Sequence, residues 1–309
     1  MPDAGYNRAA VVKYLVWTFL LAYAIQFVAA YLYNSVNRVA GQMVIAAMMF
    51  VPALGVLLAG AKLKGMGWKP RFRKNIGTIL VAWLAPVVLT AVGAALYFLF
   101  FPGHFDLSGG YLAASGGAEA LGQMEAQGIT YPLYVLISAA GSVTYAPILN
   151  TFVALGEEIG WRGFLYPELK KRFGRGKGLI MGGVIWGVWH WPLIWLIGYE
   201  YGTAAGNEAG YWGFPVSGML LFLLFTVGLG ILHDRLYEKS GSIWVPALFH
   251  GAINAATGLP LMLCLADTGS ARLLGPVPNG IVAGIPLLLA AAIVFFRKEK
   301  GHGGEKRNG

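Results

Sequence analysis

Long, nearly uninterrupted runs of apolar residues are the feature that most restricts how this chain can fold. A helix needs about 20 apolar residues to cross the roughly 30 Å hydrocarbon core of a membrane. Eight runs meet or approach that length, over approximately residues 14–33, 43–61, 77–101, 132–155, 179–198, 212–232, 243–263 and 280–296. We therefore predict an all-α, polytopic integral membrane protein with about eight transmembrane helices, built as a single transmembrane domain over residues 1–309.

The composition excludes several other protein classes. Of the 309 residues, 57% are hydrophobic and 12% are charged, whereas a soluble domain usually contains about 25% charged residues. The single cysteine, Cys264, excludes an intramolecular disulfide. An ordinary soluble enzyme, a disordered chain and a disulfide scaffold are therefore all excluded.

The basic residues fall almost entirely on one side of the predicted spans. All of the 23 lysines and arginines except Arg38 and Arg272 lie in alternate loops, at the N-terminus or in the polar tail 297–309. Because cytoplasmic loops carry an excess of basic residues, we predict that both termini are cytoplasmic. The predicted location is a cell membrane of the bacterial plasma-membrane type, or an equivalent internal membrane.

This distribution also accounts for the net charge of +9 without a nucleic-acid partner. Proteins that bind single strands combine basic grooves with stacking aromatic side chains, and no such interleaving of arginine and aromatic residues occurs here. The lipid bilayer is the partner that the charge predicts.

Ionisable residues inside apolar spans are costly and are therefore functional candidates. Glu157, Glu158 and Arg162 follow the fourth run. On a helix, Glu158 and Arg162 stand at i and i+4 and their side chains meet, while Glu157 points about 100° away around the axis. One carboxylate is thus paired locally and the other is left for chemistry or for another helix. A plain Glu–Arg pair at the end of a span is the alternative.

Two histidines lie within later spans. His190 follows Trp186 by four residues in the fifth span, and His250 precedes Asn254 by four residues in the seventh. Residues four apart share a helix face, so His250 and Asn254 point the same way and need a common partner or a wet cavity. The alternatives are a packing role for His190 and a simple hydrogen bond between helices for the other pair.

The glutamates, His190 and the pair of His250 and Asn254 lie at the same depth in the membrane only if the fourth span is longer than its apolar run. Glu157 is shallow if that span ends at Leu155. If the helix instead runs past Gly156, Glu157 lies roughly 14–18 Å deep, comparable to His190. Pro147 is then expected to kink the helix near its external end. We adopt this longer helix as a hypothesis.

A free carboxylate, two histidines and an asparagine around one cavity suit hydrolysis. Glu157 is suited to remove a proton from water that His190 helps to hold, and His250 and Asn254 are suited to stabilise an oxyanion. An alternative is a metal site, such as zinc, with His190, His250 and Glu157 as ligands; whether a cofactor is needed stays open. A standard zincin and a Gly-x-Ser-x-Gly serine hydrolase are excluded because neither motif occurs.

Three ordered motifs resemble those of the CPBP family, which comprises type II CAAX prenyl endopeptidases and bacteriocin-processing or bacteriocin-immunity proteins. They read Glu157-Glu158-x-x-x-Arg162, Trp186-x-x-x-His190 and His250-x-x-x-Asn254. The resemblance implies an eight-span fold, a family core over approximately residues 130–265, and a site with the same four catalytic residues. It implies supporting roles for Glu158, Arg162 and Trp186, the last at a position where the family often has phenylalanine. Family members have been described both as metalloproteases and as metal-independent glutamate proteases.

We therefore predict an intramembrane endopeptidase that opens toward the cytoplasm. Its expected substrate is a peptide or protein in the membrane, with a prenylated protein as one option. The alternatives are a non-proteolytic bacteriocin-immunity or scaffold protein and a proton-coupled transporter.

Overall fold

The described residues of the computed structural model, 5–204 and 210–297, form helices and loops without a β-strand. This confirms the predicted all-α class. The principal helices are α1 (Arg8–Ser35), α2 (Arg38–Met48), α3 (Val51–Leu58), α4 (Phe72–Phe100), α5 (Ala118–Ala126), α6 (Tyr131–Val143), α7 (Ala146–Gly160), α8 (Tyr166–Phe173), α9 (Arg175–Trp189), α10 (Trp191–Ile197), α11 (Val216–Ser240), α12 (Trp244–Thr257) and α13 (Ile285–Phe296).

Several of these helices are long and apolar enough to cross a membrane, which makes the chain a multi-pass membrane protein. Within the described residues, five segments qualify: Arg8–Ser35, Arg38–Leu58, Phe72–Phe100, Arg175–Ile197 and Val216–Ser240. The bent pair formed by α6 and the segment Ala146–Phe173 makes a sixth if it is counted as one span. Helices α12 and α13 contain 14 and 12 residues, or about 21 and 18 Å at 1.5 Å per residue, which is less than the hydrocarbon thickness. The count of eight spans and the cytoplasmic termini stay predictions.

The fourth predicted span is bent and longer than its apolar run. The axes of α6 and of the segment Ala146–Phe173 differ by 53°. Pro147 stands in the first turn of α7, where its missing N–H group removes a hydrogen bond that would continue α6. Beyond Gly160 the chain continues through one π-helical turn, Trp161–Leu165, into α8. The hypothesis that the helix runs past Gly156 is therefore confirmed.

The loops gather at two opposite ends of the bundle. At one end, called here the basic end, the segment 62–75 contacts the turn between α11 and α12: Ile243 N–H donates to Gly67 O (3.1 Å) and Asn75 Nδ2 donates to Ser240 O (3.1 Å). Lys170 at the same end binds Asp234 at 2.8 Å.

At the other end, called here the loop end, the segments that follow α4, α10 and α12 pack together. Asp106 N–H donates to Leu263 O (2.9 Å), and Ala204 N–H donates to Ala266 O (3.2 Å). Tyr201 Oη donates to Asn279 O at 3.0 Å. The two groups of loops that the sequence assigned to opposite membrane faces thus lie at opposite ends of the fold.

Helices α7 and α12, which carry two of the predicted motifs, approach at Gly251. A Cβ atom at Gly251 would lie 2.6 Å from Thr151 N and 2.7 Å from Pro147 O. Both are backbone atoms of α7, so the contact cannot be relieved by a side-chain rotation. Small residues at helix interfaces in membranes permit this close approach.

We expect Gly251→Ala to lower the thermal midpoint of the detergent-purified protein, because forced overpacking typically costs about 1–3 kcal/mol. Gly77→Ala is the matched control, since nothing lies within 4 Å of a Cβ atom at Gly77. Equal midpoints for both variants would show that the helices separate at no cost.

Candidate active site

Glu158 is the most completely buried acid of the site. Its side chain has no exposed surface, and its Oε1 atom accepts hydrogen bonds from Arg162 (3.0 Å) and from His250 Nδ1 (2.8 Å). The i, i+4 pairing of Glu158 with Arg162 that the sequence predicted is confirmed. The pair joins α7 and the π-helical turn to His250 on α12.

Arg162 is held between two aromatic rings. Its guanidinium carbon lies 4.3 Å from the Trp186 ring centroid and 4.7 Å from that of Tyr166. Such cation–π contacts contribute about 2 kcal/mol or more when they are desolvated. Arg162 therefore supports the position of Trp186 as well as that of Glu158.

Glu157 faces away from Arg162 and has different partners. Its Oε2 atom accepts from the indole Nε1 of Trp161 (2.9 Å) and of Trp186 (2.7 Å). The Oε1 atom makes no hydrogen bond with the described residues. The carboxylate is therefore oriented by two neutral donors, and one oxygen is left for a ligand.

His190 lies at the C-terminal end of α9. Its Nδ1 atom is 2.9 Å from the carbonyl oxygen of Trp186, so Nδ1 carries the hydrogen and donates it, and Nε2 presents a lone pair. The rings of Trp189 and Phe222 pack edge-on against the imidazole, with centroids at 4.7 and 4.9 Å. One residue, Trp186, thus orients both Glu157 and His190.

A cavity of about 70 Å³ brings the four predicted catalytic residues together. Its walls include Glu157, His190, His250 and Asn254. The first three are at most 7% exposed, whereas Asn254 is exposed on the same face of α12 one turn beyond His250. The cavity is large enough for water, which needs about 10–15 Å³.

Sequence reasoning missed His233. Its Nε2 atom lies 3.9 Å from Glu158 Oε1, its Nδ1 atom is 2.7 Å from Leu229 O, and its ring centroid is 5.4 Å from that of His250. The sixth apolar run ends at Leu232, which places His233 in a loop, but α11 continues to Ser240. Asp234, the next residue, is 1% exposed and binds Lys170 at 2.8 Å, a contact between distant segments that accompanies the longer helix.

Within residues 5–204 and 210–297, Glu158, His233 and His250 form the only group of metal-ligand type whose donor atoms lie within 4.8 Å of one another. This group differs from the predicted set of His190, His250 and Glu157. Two histidines and a carboxylate are suitable zinc ligands. However, the Glu158 Oε1 atom already accepts from Arg162 and His250, and the adjacent buried guanidinium repels a divalent cation. The charge of Arg162 therefore opposes a resident metal here, although Glu158 Oε2 and His233 Nε2 have no hydrogen-bond partner among the described residues.

The fold and this cavity define a class: a multi-pass membrane protein with acid and base side chains around an intramembrane cavity. Residues 139–256 match the family model described as Type II CAAX prenyl endopeptidase Rce1-like. The chain is also 26% identical over 298 residues to a protein named CAAX prenyl protease 2 from Methanococcus maripaludis, and the alignment covers 93% of each chain. These findings confirm the resemblance to the CPBP family, a family of membrane proteases.

We expect Arg162→Ala to reduce the folded yield and thermal midpoint, because it leaves the Glu158 carboxylate buried without its cation. Removing one partner of a buried pair typically costs about 3–5 kcal/mol. The double variant Glu158→Gln/Arg162→Met, which removes both charges, should recover part of the loss. Size-exclusion chromatography and thermal unfolding in detergent measure both quantities.

Arg235→Ala is the control for Arg162→Ala, since Arg235 is 40% exposed and its distance to Glu238 is 4.0 Å. Arg162→Ala protein with normal yield and stability would contradict a structural role, and a loss of activity in that protein would place Arg162 in the site itself.

Proposed function

We propose that the protein is an intramembrane endopeptidase that hydrolyses a peptide bond of a membrane-associated substrate. The observation that carries the proposal is the convergence of Glu157, His190, His250 and Asn254 on one cavity. The match to a protease family supports the reaction class.

In this proposal Glu157 is the general base. Its Oε2 atom is fixed by two indole N–H groups, and Oε1 takes a proton from a water molecule in the cavity. His190 holds that water by accepting its second hydrogen at Nε2. The water oxygen forms a bond to the carbonyl carbon of the substrate. The carbonyl oxygen becomes an oxyanion, which needs hydrogen-bond donors to stabilise it.

His250 and Asn254 supply those donors. Since His250 donates from Nδ1 to Glu158, it acts on the oxyanion in the form that also carries a hydrogen on Nε2. The Asn254 amide offers a second N–H group. When the C–N bond breaks, Glu157 returns its proton to the leaving amine nitrogen, so the reaction consumes one water molecule.

Glu158, Arg162 and His233 are positioning residues in this mechanism. Glu158 orients His250, and Arg162 neutralises Glu158. The imidazole of His233, whose Nδ1 faces a carbonyl oxygen, lies beside the same carboxylate oxygen, with its Nε2 atom 3.9 Å from Oε1. The charge of Arg162 beside Glu158 supports a glutamate-dependent, metal-independent reaction.

The substrate class follows from the family. The relative from Methanococcus maripaludis is named a CAAX prenyl protease, so a prenylated protein is the first class to test. The apolar surroundings of the cavity are compatible with a lipidated or transmembrane segment, and the expected location is a bacterial-type plasma membrane or an equivalent internal membrane.

The test compares membrane-protein N- and C-termini, by mass spectrometry, in cells that express the wild type, Glu157→Gln or Glu125→Gln. We expect new termini with the wild type and with Glu125→Gln, whose side chain is exposed in α5. Glu157→Gln should reduce them by at least about 10²-fold, since it removes the base. Its amide oxygen can still accept from both indoles, so the protein should stay folded.

Termini that persist at wild-type levels with stably inserted Glu157→Gln would contradict the proposed base. Identical termini with and without the wild-type protein would favour the non-proteolytic scaffold instead.

A further inference from the structure

Three polar side chains of α1 face the span that carries His190. Tyr23, Gln26 and Asn34 lie along one stripe of a largely apolar helix, because residues 3 and 11 positions apart return to nearly the same face. Gln26 is fully buried, and a buried amide in an apolar setting is costly unless it forms hydrogen bonds. The stripe therefore points to a specific contact between α1 and this span.

The span is interrupted at His190, between α9 and α10. In a continuous helix, the N–H group of residue 192 would donate to Val188 O, but Pro192 has no N–H group. The N–H group of Leu193, which a continuous helix would direct to Trp189 O, instead donates to His190 O at 3.0 Å. The carbonyl oxygens of the two residues before His190 therefore need donors from elsewhere.

Helix α1 supplies both donors. Tyr23 Oη donates to Val188 O at 2.9 Å, and Gln26 Nε2 donates to Trp189 O at 2.7 Å. Both distances are typical of well-formed hydrogen bonds. Proline is tolerated within membrane helices where neighbouring helices satisfy the backbone groups that it frees. The interruption at His190 is therefore stabilised by side chains of α1.

The hydrogen bond from Gln26 acts on the peptide group that leads into His190. The carbonyl group of Trp189 and the N–H group of His190 belong to one planar unit. Gln26 binds the oxygen of this unit, and Gly187 O accepts from its N–H group at 3.0 Å. The plane cannot turn without breaking one of these hydrogen bonds. Together they fix the backbone from which the His190 imidazole projects.

The orientation of the imidazole depends on this backbone. In an α-helix the N–H group of His190 would bind Trp186 O, but here it binds Gly187 O. Trp186 O is bound by the imidazole Nδ1 at 2.9 Å instead. A turned peptide would move the ring away from Trp186 O and change the direction of the Nε2 lone pair. Misplacing a catalytic group by about 1 Å can cost about 10²-fold in rate.

We propose that Gln26, together with Tyr23, is a positioning residue for His190, and that α1 thereby contributes to the active site. Both residues lie outside the segment 139–256 that matches the protease family model. The proposal rests on the proposed function for the role of His190 in holding water. The hydrogen bonds from α1 to the interrupted span do not depend on that function.

The first test observes His190 without any activity. Nitrogen NMR of the detergent-purified protein, prepared with isotope-labelled histidine, distinguishes an imidazole that carries its hydrogen on Nδ1 from one that carries it on Nε2. The chain has five histidines, and His190→Gln identifies the resonances of His190 by their loss. We expect Gln26→Leu to shift or broaden these resonances, because the peptide before His190 loses its donor.

Asn34→Leu is the matched control. Asn34 Nδ2 donates to Leu196 O at 3.1 Å, so this variant also removes an amide donor that joins α1 to the same span, but at a point six residues beyond His190. The His190 resonances should be unchanged in Asn34→Leu. Unchanged resonances in folded Gln26→Leu, or the same change in both variants, would overturn the proposal.

Tyr23→Phe covers the case in which Gln26→Leu does not fold. It removes only the hydroxyl group that binds Val188 O and keeps the aromatic ring. The His190 resonances should change in this variant too, and unchanged resonances in the folded protein would then overturn the proposal.

The second test joins this positioning to cleavage, measured in isolated membranes as the Glu157-dependent new termini at equal protein level. Gln26→Leu should reduce these termini at least about tenfold, and Asn34→Leu should not. Gln26→Glu should restore most of them in mildly acidic buffer, because a buried carboxyl group favours its protonated form and its O–H group can donate to Trp189 O.

The outcomes separate this proposal from the proposed function. Unchanged cleavage by folded Gln26→Leu, or no recovery by Gln26→Glu in mildly acidic buffer, would overturn the positioning role. If the wild type produces no Glu157-dependent termini although the His190 resonances respond to Gln26→Leu, the peptidase function alone is refuted.

Discussion

The ion pair of Glu158 with Arg162 is the interaction on which the site depends. Both side chains are fully buried, and an ion in an apolar interior costs several kcal/mol unless its partner and hydrogen bonds compensate. The compensation here comes from His250, which donates to the carboxylate, and from two aromatic rings on the guanidinium. Any displacement of Arg162 therefore moves a helix contact and a candidate catalytic histidine together.

Trp186 transmits this arrangement to the reactive groups. Its ring faces Arg162, its indole N–H donates to Glu157, and its carbonyl oxygen fixes the His190 imidazole. Three interactions of one residue therefore orient the proposed base and the proposed water-binding histidine. Tryptophan differs from the phenylalanine often found there because only its indole supplies an N–H group.

Much of this site was predictable because helix periodicity fixes the relative positions of residues that are close together in the sequence. The spacing of Glu158 and Arg162 required them to meet, and the spacing of His250 and Asn254 required a common face; the structure has both. The depth of Glu157 was predictable only by assuming a helix longer than its apolar run.

The features that sequence reasoning did not reach depend on contacts between distant segments. The apolar run ends just before His233, so the sequence places this residue after the span. In the structure the helix continues, and Asp234, the next residue, forms an ion pair with Lys170, which is 64 residues away in the chain. Local spacing thus specifies which side chains of one helix can meet, and tertiary packing specifies which residues of distant segments join them.

We propose that the two adjacent glutamates have different roles: Glu158 holds the site together and Glu157 takes part in the reaction. Purified Glu157→Gln and Glu158→Gln, compared for thermal unfolding and for peptide-bond cleavage, distinguish these roles. We expect wild-type unfolding without cleavage for Glu157→Gln, and a lowered unfolding midpoint for Glu158→Gln because Arg162 loses its buried partner. A stable Glu158→Gln together with a Glu157→Gln that still cleaves would contradict this proposal.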